Sequence, residues 1–100
     1  MNEMIKLWRY LTEHNYNIAW IFNRLKRAHS EDEIIYRNQI IVYDDTNTRL
    51  WDAICHHGSY GYEKGLLEIY GCICDDVVGY LTADDVINKY LKHEEEKDGD

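Results

Sequence analysis

QIIVYDDTNTRLWDAIC, residues 39–55, is the stretch whose reading decides the fold. Ile40, Ile41, Val42 and Tyr43 form a run of β-branched and aromatic side chains, the DDTNT that follows is polar, and Leu50, Trp51, Ala53 and Ile54 resume the apolar pattern. Such side chains pack well on a pleated surface, whereas Asp and Asn hydrogen-bond to nearby backbone and tolerate turn dihedrals. The stretch reads as a β-hairpin whose turn chemistry comes from Asp45 and Asn47. One face of the hairpin has to cover helices, so Trp51 or its neighbour Leu50 is expected in the core. Ile34–Tyr36 offers a further strand ahead of it.

Upstream, Met4, Leu7, Trp8 and Leu11 recur at i, i+3, i+4 and i+7 while Lys6, Arg9 and Glu13 lie off that stripe. This predicts an amphipathic helix over residues 3–14, ended by His14 and by Asn15, which tolerates the left-handed cap conformation. Residues 16–27 fit two patterns. Tyr16, Ile18, Trp20 and Phe22 alternate as a strand would; Ile18, Ile21, Phe22 and Leu25 suit a helix. The expectation leans to helix and leaves strand open. Residues 24–33 read as a polar connection in which Arg24, Lys26 and Arg27 precede Ser30, Glu31, Asp32 and Glu33; the acidic run beside the basic trio opposes contact with phosphate.

Downstream, WDAICHHGSYGYEKG (residues 51–65) leaves the hairpin through Gly58 and Gly61, which permit backbone angles that residues with a Cβ avoid. Ser59 or Gly61 is expected to cap a helix over residues 62–70, carrying Leu66, Leu67, Ile69 and Tyr70 and ended by Gly71. The last helix is better marked. Thr82 precedes Ala83, Asp84 and Asp85, with Leu81 and Val86 spaced as a hydrophobic staple and an apolar run through Ile87, Tyr90 and Leu91. Asp84 and Asp85 stand where the helix dipole favours anions, and Lys89, Lys92 and His93 stand at the other end. Residues 94–100 form an acidic tail expected to fray. The chain is thus expected to be one α+β domain over residues 1–93, an antiparallel sheet built on a β-hairpin and packed against three or four helices.

Chemistry-bearing residues concentrate in the turn from His56 to Gly61. GSYG lacks the central serine of a nucleophile elbow, and the turn lacks the lysine and hydroxyl of a phosphate-binding loop. Cys55, His57, Cys72 and Cys74 offer C-x-H and C-x-C pairs, but structural zinc sites draw on pairs spaced C-x₂₋₄-C, and a C-x-C pair in extended chain points to opposite faces. No metal or cofactor is expected. Three cysteines fit no closed disulfide framework, so reduced thiols and a cytoplasmic setting follow. The longest uninterrupted apolar run, Ile18–Phe22, is too short for a leader or a membrane span. A chain of 100 residues leaves little interior for a deep substrate cavity, so an enzyme is not expected.

The net charge of −8 is uneven. Residues 1–50 carry seven basic and seven acidic side chains, and residues 51–100 carry four and twelve. A field of that sign repels nucleic acid and attracts cationic surfaces. Asp75, Asp76, Asp84 and Asp85, read as clustered around one loop, are candidate contacts for a basic partner, with Tyr60, Tyr62 and Tyr80 as aromatic candidates.

The segments Trp51–Ile54, Gly58–Tyr62, Gly65–Glu68 and Gly79–Ile87 resemble small uncharacterised proteins carried by bacteriophages and prophages, over about residues 39–91. The resemblance implies a phage setting inside a host cell and supplies no catalytic residues. In that setting the expected role is protein–protein interaction: an inhibitor of a host defence system, as anti-CRISPR proteins are, or of a nucleic-acid-processing protein with a basic surface. A small ligand-binding protein or enzyme using the His56–Gly61 turn is one alternative; a homo-oligomeric accessory protein is another.

Overall fold

A computed structural model describes residues 2–25 and 35–92. Helix α1 (Glu3–Glu13) leads into strands β1 (Asn17–Leu25), β2 (Ile35–Tyr43), β3 (Arg49–Ile54), β4 (Leu67–Gly71) and β5 (Val78–Leu81). Helix α2 (Ala83–Val86) follows and continues as a π-helical turn over Ile87–Leu91. The strands form one antiparallel sheet in chain order, β1-β2-β3-β4-β5. The class is α+β, with two helices among the described residues rather than the expected three or four.

Both helices lie on one face of the sheet. Met4, Leu7 and Leu11 of α1 and Ala83, Val86, Ile87 and Leu91 of the last helix bury against Ile40, Val42, Trp51, Ala53, Leu67, Ile69 and Leu81. Ile40 pairs with Ala53 and Val42 with Trp51, so the period-two alternation of the hairpin delivers one apolar row to the helices. Trp51 is buried as expected and Leu50 is exposed. The first turns of α1 and α2 meet: the Glu3 carboxylate accepts the backbone N–H of Ala83 at 2.8 Å. No helix among the described residues is long and apolar enough to cross a membrane.

Helix α1 begins at Asn2, whose side-chain oxygen accepts the Met4 N–H at 2.8 Å. It ends as the sequence implied. Asn15 takes a φ of 61°, its N–H reaches the Thr12 carbonyl, and the Tyr16 N–H reaches Leu11, the bond pattern of a Schellman cap. That cap turns the chain into β1 and, over residues 16–25, decides against the helical leaning; residues 26 and 27 lie outside the described residues. Tyr16, Ile18, Trp20 and Phe22 alternate because Ile18 pairs with Val42 and Trp20 with Ile40. β2 begins at Ile35, so Ile35 and Tyr36 of the strand offered by Ile34–Tyr36 belong to the first hairpin strand, while Ile34 lies outside the described residues. The polar connection over 24–33, apart from Arg24 and Leu25 in β1, lies outside the described residues, as do His93 and the acidic tail.

The β2–β3 turn uses Asp44 rather than Asp45. The Asp44 carboxylate accepts the Thr46 hydroxyl and the N–H groups of Thr46 and Thr48, at 2.7, 2.8 and 2.9 Å. These bonds, the Thr46 hydroxyl first, hold the carboxyl below its ordinary pKa. Asn47 supplies the left-handed residue, φ 64°.

The helix expected over 62–70 is a single 3₁₀ turn, Tyr62–Lys64, followed by β4. Leu67 and Ile69 are buried while Glu68 and Tyr70 are not, which is strand alternation. Gly71, expected to end a helix, is a strand residue opposite Trp51. A Cβ there would lie 2.5 Å from the Trp51 Cα, and its φ of 136° suits glycine alone. Thr82 caps α2 as read from sequence, in a full capping box with Asp85. Leu81 and Val86, the residues of the staple, are both buried in the core.

Candidate functional site

The turn after β3 is held by its own polar side chains. The Ser59 hydroxyl donates to the His56 carbonyl at 2.7 Å and accepts the His56 N–H at 3.1 Å. Its one donor is spent on the backbone. The chain then passes Gly58 and Gly61, at φ 92° and 98° as the sequence implied, and closes on β5, where the Tyr80 N–H donates to the Tyr60 carbonyl at 3.2 Å.

Strand β5 is distorted at this contact. Leu67 pairs with Leu81 and Ile69 with Val78, so Gly79 and Tyr80 together oppose Glu68 in a β-bulge. Tyr80 takes a φ of 58°, uncommon for an aromatic residue. The bulge re-aims its side chain outward beside Tyr60, while the Glu68 carboxylate, opposite, accepts the Tyr60 N–H at 2.9 Å.

The result is an open cleft of about 670 Å³, lined among others by His57, Tyr60, Tyr62, Glu63, Lys64 and Tyr80. Tyr60 and Tyr80 are each 60% exposed and Tyr62 is 41% exposed. The His57 ring stands edge-on to Tyr62, centroids 6.0 Å apart. All three tyrosines picked from sequence therefore come together, from two segments distant in the chain.

The four aspartates do not. Asp75 and Asp76 lie in the β4–β5 connection, where Asp76 accepts the Val77 N–H at 2.7 Å and both line a second shallow cleft with Tyr90. Asp84 and Asp85 sit past the other end of β5, in the first turn of α2. The single acidic cluster read from sequence is two separate pairs. Asp85 is committed to the capping box: its carboxylate accepts the Thr82 N–H at 3.0 Å, which, before the Thr82 hydroxyl and Lys89, holds its pKa below the ordinary value.

The nucleophile and metal candidates are dispersed. Cys55 packs against the core, where burial pushes its thiol pKa up, while His57 faces the cleft. A raised pKa is the opposite of what a thiolate nucleophile needs. Cys74 is likewise raised by burial. His56 accepts the Asn38 N–H on Nδ1 at 3.4 Å, and burial lowers its pKa. Among the described residues, no three His, Cys, Asp or Glu side chains converge as metal ligands would.

Sequence reading missed two groups. On the helix-free face, Arg37 donates to the side-chain Oε1 of Gln39 at 2.6 and 2.9 Å, the Gln39 side-chain Nε2 donates to Asp52 at 2.7 Å, and Arg49 pairs with Asp52 at 3.0 Å. On the helix face, Trp8 of α1 meets Trp20 with centroids 6.0 Å apart and Phe22 stacks on Tyr36 at 5.6 Å. The alternation of Ile18, Trp20 and Phe22 was the available signal for the second group. Neither a protein-family model, nor a curated protein, nor a solved structure matches this chain.

Proposed function

We propose that this chain is a binding module that docks a host protein on the tyrosine cleft, with acidic side chains near it favouring a partner of basic surface. The observation that carries the reading is the convergence of Tyr60, Tyr62 and Tyr80 on one open cleft, held by a bulge that keeps Tyr80 at positive φ. Backbone strain is retained where the surrounding structure over-determines it, and it concentrates at ligand clamps and binding sites. Tyrosine supplies large, stiff, amphipathic contact area at low entropic cost, which is why it recurs among binding hot spots.

Charge supports the same reading. Glu63 and Lys64 both border the cleft and offset one another, so the acidic bias comes from Glu68, which anchors Tyr60, and from a half of the chain whose net charge is −8. Such a field speeds encounter with a cationic surface and fixes orientation more than it adds affinity. A phage-borne chain of this kind works by occupying the basic face of a defence or nucleic-acid-processing protein.

The test compares the full chain with a Tyr60→Ala/Tyr80→Asn variant as baits in host cells; Asn accepts the left-handed backbone of position 80. A host protein that binds the wild type stoichiometrically and the variant at least ~30-fold more weakly supports the reading, since two hot-spot residues contribute about 2 kcal/mol or more. A partner held equally by both removes the cleft from the interface. Saturable binding of a small molecule at the cleft, with no protein partner, favours the ligand-binding alternative.

A further inference from the structure

The two edges of the sheet differ. β5 is four residues long and bulged, features that blunt an edge against pairing. β1 is nine residues long, pairs with β2 in unbroken register over its whole length, and contains neither proline nor an acidic residue. Its outer edge pairs with no strand among the described residues. Every second residue of such an edge directs an N–H and a C=O away from the sheet, a template for another strand.

We propose that a second copy of this chain occupies that edge, β1 pairing antiparallel with its counterpart about a two-fold axis through Ile21. The register follows from the strand. Antiparallel partners share a face, so the helix layers of both copies fall on one side of a continuous sheet only if residue numbers in each pair sum to an even value. The sum that pairs the whole of Asn17–Leu25 is the one that sets Ile21 opposite Ile21, Trp20 opposite Phe22 and Ile18 opposite Arg24. Trp20, already against Trp8, then meets the Phe22 that stacks on Tyr36 in the other copy, joining two aromatic pairs into one cluster across the axis. Phe22, 63% exposed in the single copy, gains a cover.

Charge and area both bear on the choice of occupant. Each copy carries −8, so copies approach best where neither is acidic, and the one charge in β1, Arg24, faces an isoleucine rather than its own kind. A strand of this length spans ~30 Å, and ~10 Å of side-chain depth on each face gives about 600 Å² per copy, at the low end for a specific interface. An interface of this size fits a reversible dimer rather than a permanent one.

Sedimentation of the purified full chain across about 1–500 µM is expected to show a reversible monomer–dimer equilibrium. Phe22→Glu, at an exposed site, should keep the circular dichroism of the wild type and weaken dimerisation at least ~10-fold. Register is read by cross-linking in a Cys72→Ser/Cys74→Ser background. Ile21→Cys places two thiols on the axis with Cα atoms ~4.5–5.5 Å apart, within disulfide reach, whereas Ala19→Cys places them ~14 Å apart and out of it. A monomer at every concentration overturns the proposal, as does Phe22→Glu dimerising like the wild type. Ala19→Cys cross-linking as readily as Ile21→Cys overturns it equally.

Discussion

Gly79 and Tyr60 occupy adjoining space with no room for a side chain between them: a Cβ on Gly79 would overlap the Tyr60 Cβ and crowd its carbonyl oxygen. The contact presses the turn after β3 onto the bulge of β5 and fixes where Tyr60 stands relative to Tyr80.

Gly79→Ala should therefore cost about 1–3 kcal/mol by overpacking and displace Tyr60 from the cleft. Gly65→Ala is the comparison. Gly65 has open space around its missing Cβ and a φ of 70°, so it loses only ~1–2 kcal/mol from the left-handed backbone. Urea unfolding measures both costs. The amide chemical shifts of residues 59–62 should move in the first variant and stay in the second.

Thr82→Ala removes the hydroxyl that accepts the Asp85 N–H, and about 1 kcal/mol of stability should go with it. The Asp85 pKa is depressed in the fold, so the folded chain binds that proton less readily than the unfolded chain does. Its contribution is present above the unfolded pKa and is lost as pH falls through the folded one. Stability should decline from about pH 4 downward, and Asp85→Asn should decline less steeply there. Denaturant midpoints between about pH 6 and pH 2.5 check the sign; an unchanged slope in Asp85→Asn would refute the assignment.

Asp52 is buried on the helix-free face and holds both Gln39 and Arg49. Asp52→Ala should cost about 1–3 kcal/mol, because the Gln39 amide loses its acceptor inside a buried network. Arg49→Ala should cost no more than ~1 kcal/mol, since the arginine is itself half-exposed and solvent screens the pair. Paired denaturation curves distinguish the two. Equal losses would mean that the ion pair, and not the amide contact, carries the network.

Asp75 and Asp76 sit in an exposed connection whose polar backbone tolerates substitution. Reversing both to lysine should leave the fold intact, slow association with a basic partner and flatten its salt dependence. An on-rate and salt dependence equal to wild type for a verified partner would reduce the acidic loop to a solubility device.

Elements marked by local chemistry were legible in the sequence. Thr82 with Asp85, the Asn15 cap and the alternation of Ile40 to Ile54 each carry their cause within a few residues. The failures share one origin. Residues 16–25 and 66–71 contain enough apolar residues to satisfy both a period of two and a period of 3.6, and what decides between them is the neighbouring strand: Ile40 and Val42 for the first, Ala53 and Trp51 for the second. Gly71 misled for the same reason, since its glycine answers to Trp51 across the sheet rather than to a helix end. In the site, the tyrosines were identified by type, but their convergence required the Gly79–Tyr60 contact, which no spacing along the chain expresses. The aspartates show the reverse: neighbours in sequence around β5, they are separated by its length.

The bond from Ala83 to Glu3 joins residues 80 positions apart, and α1 leaves the ribosome well before α2. At about 5–20 residues per second, its stripe of Met4, Leu7 and Leu11 waits on the order of ten seconds for α2 to emerge. The meander can zip hairpin by hairpin as it leaves the exit tunnel, because each strand pairs with the one made just before it. The helix layer cannot. A nascent chain halted before Thr82 would present a sheet with its apolar face half covered, the species on which a chaperone would be expected to act.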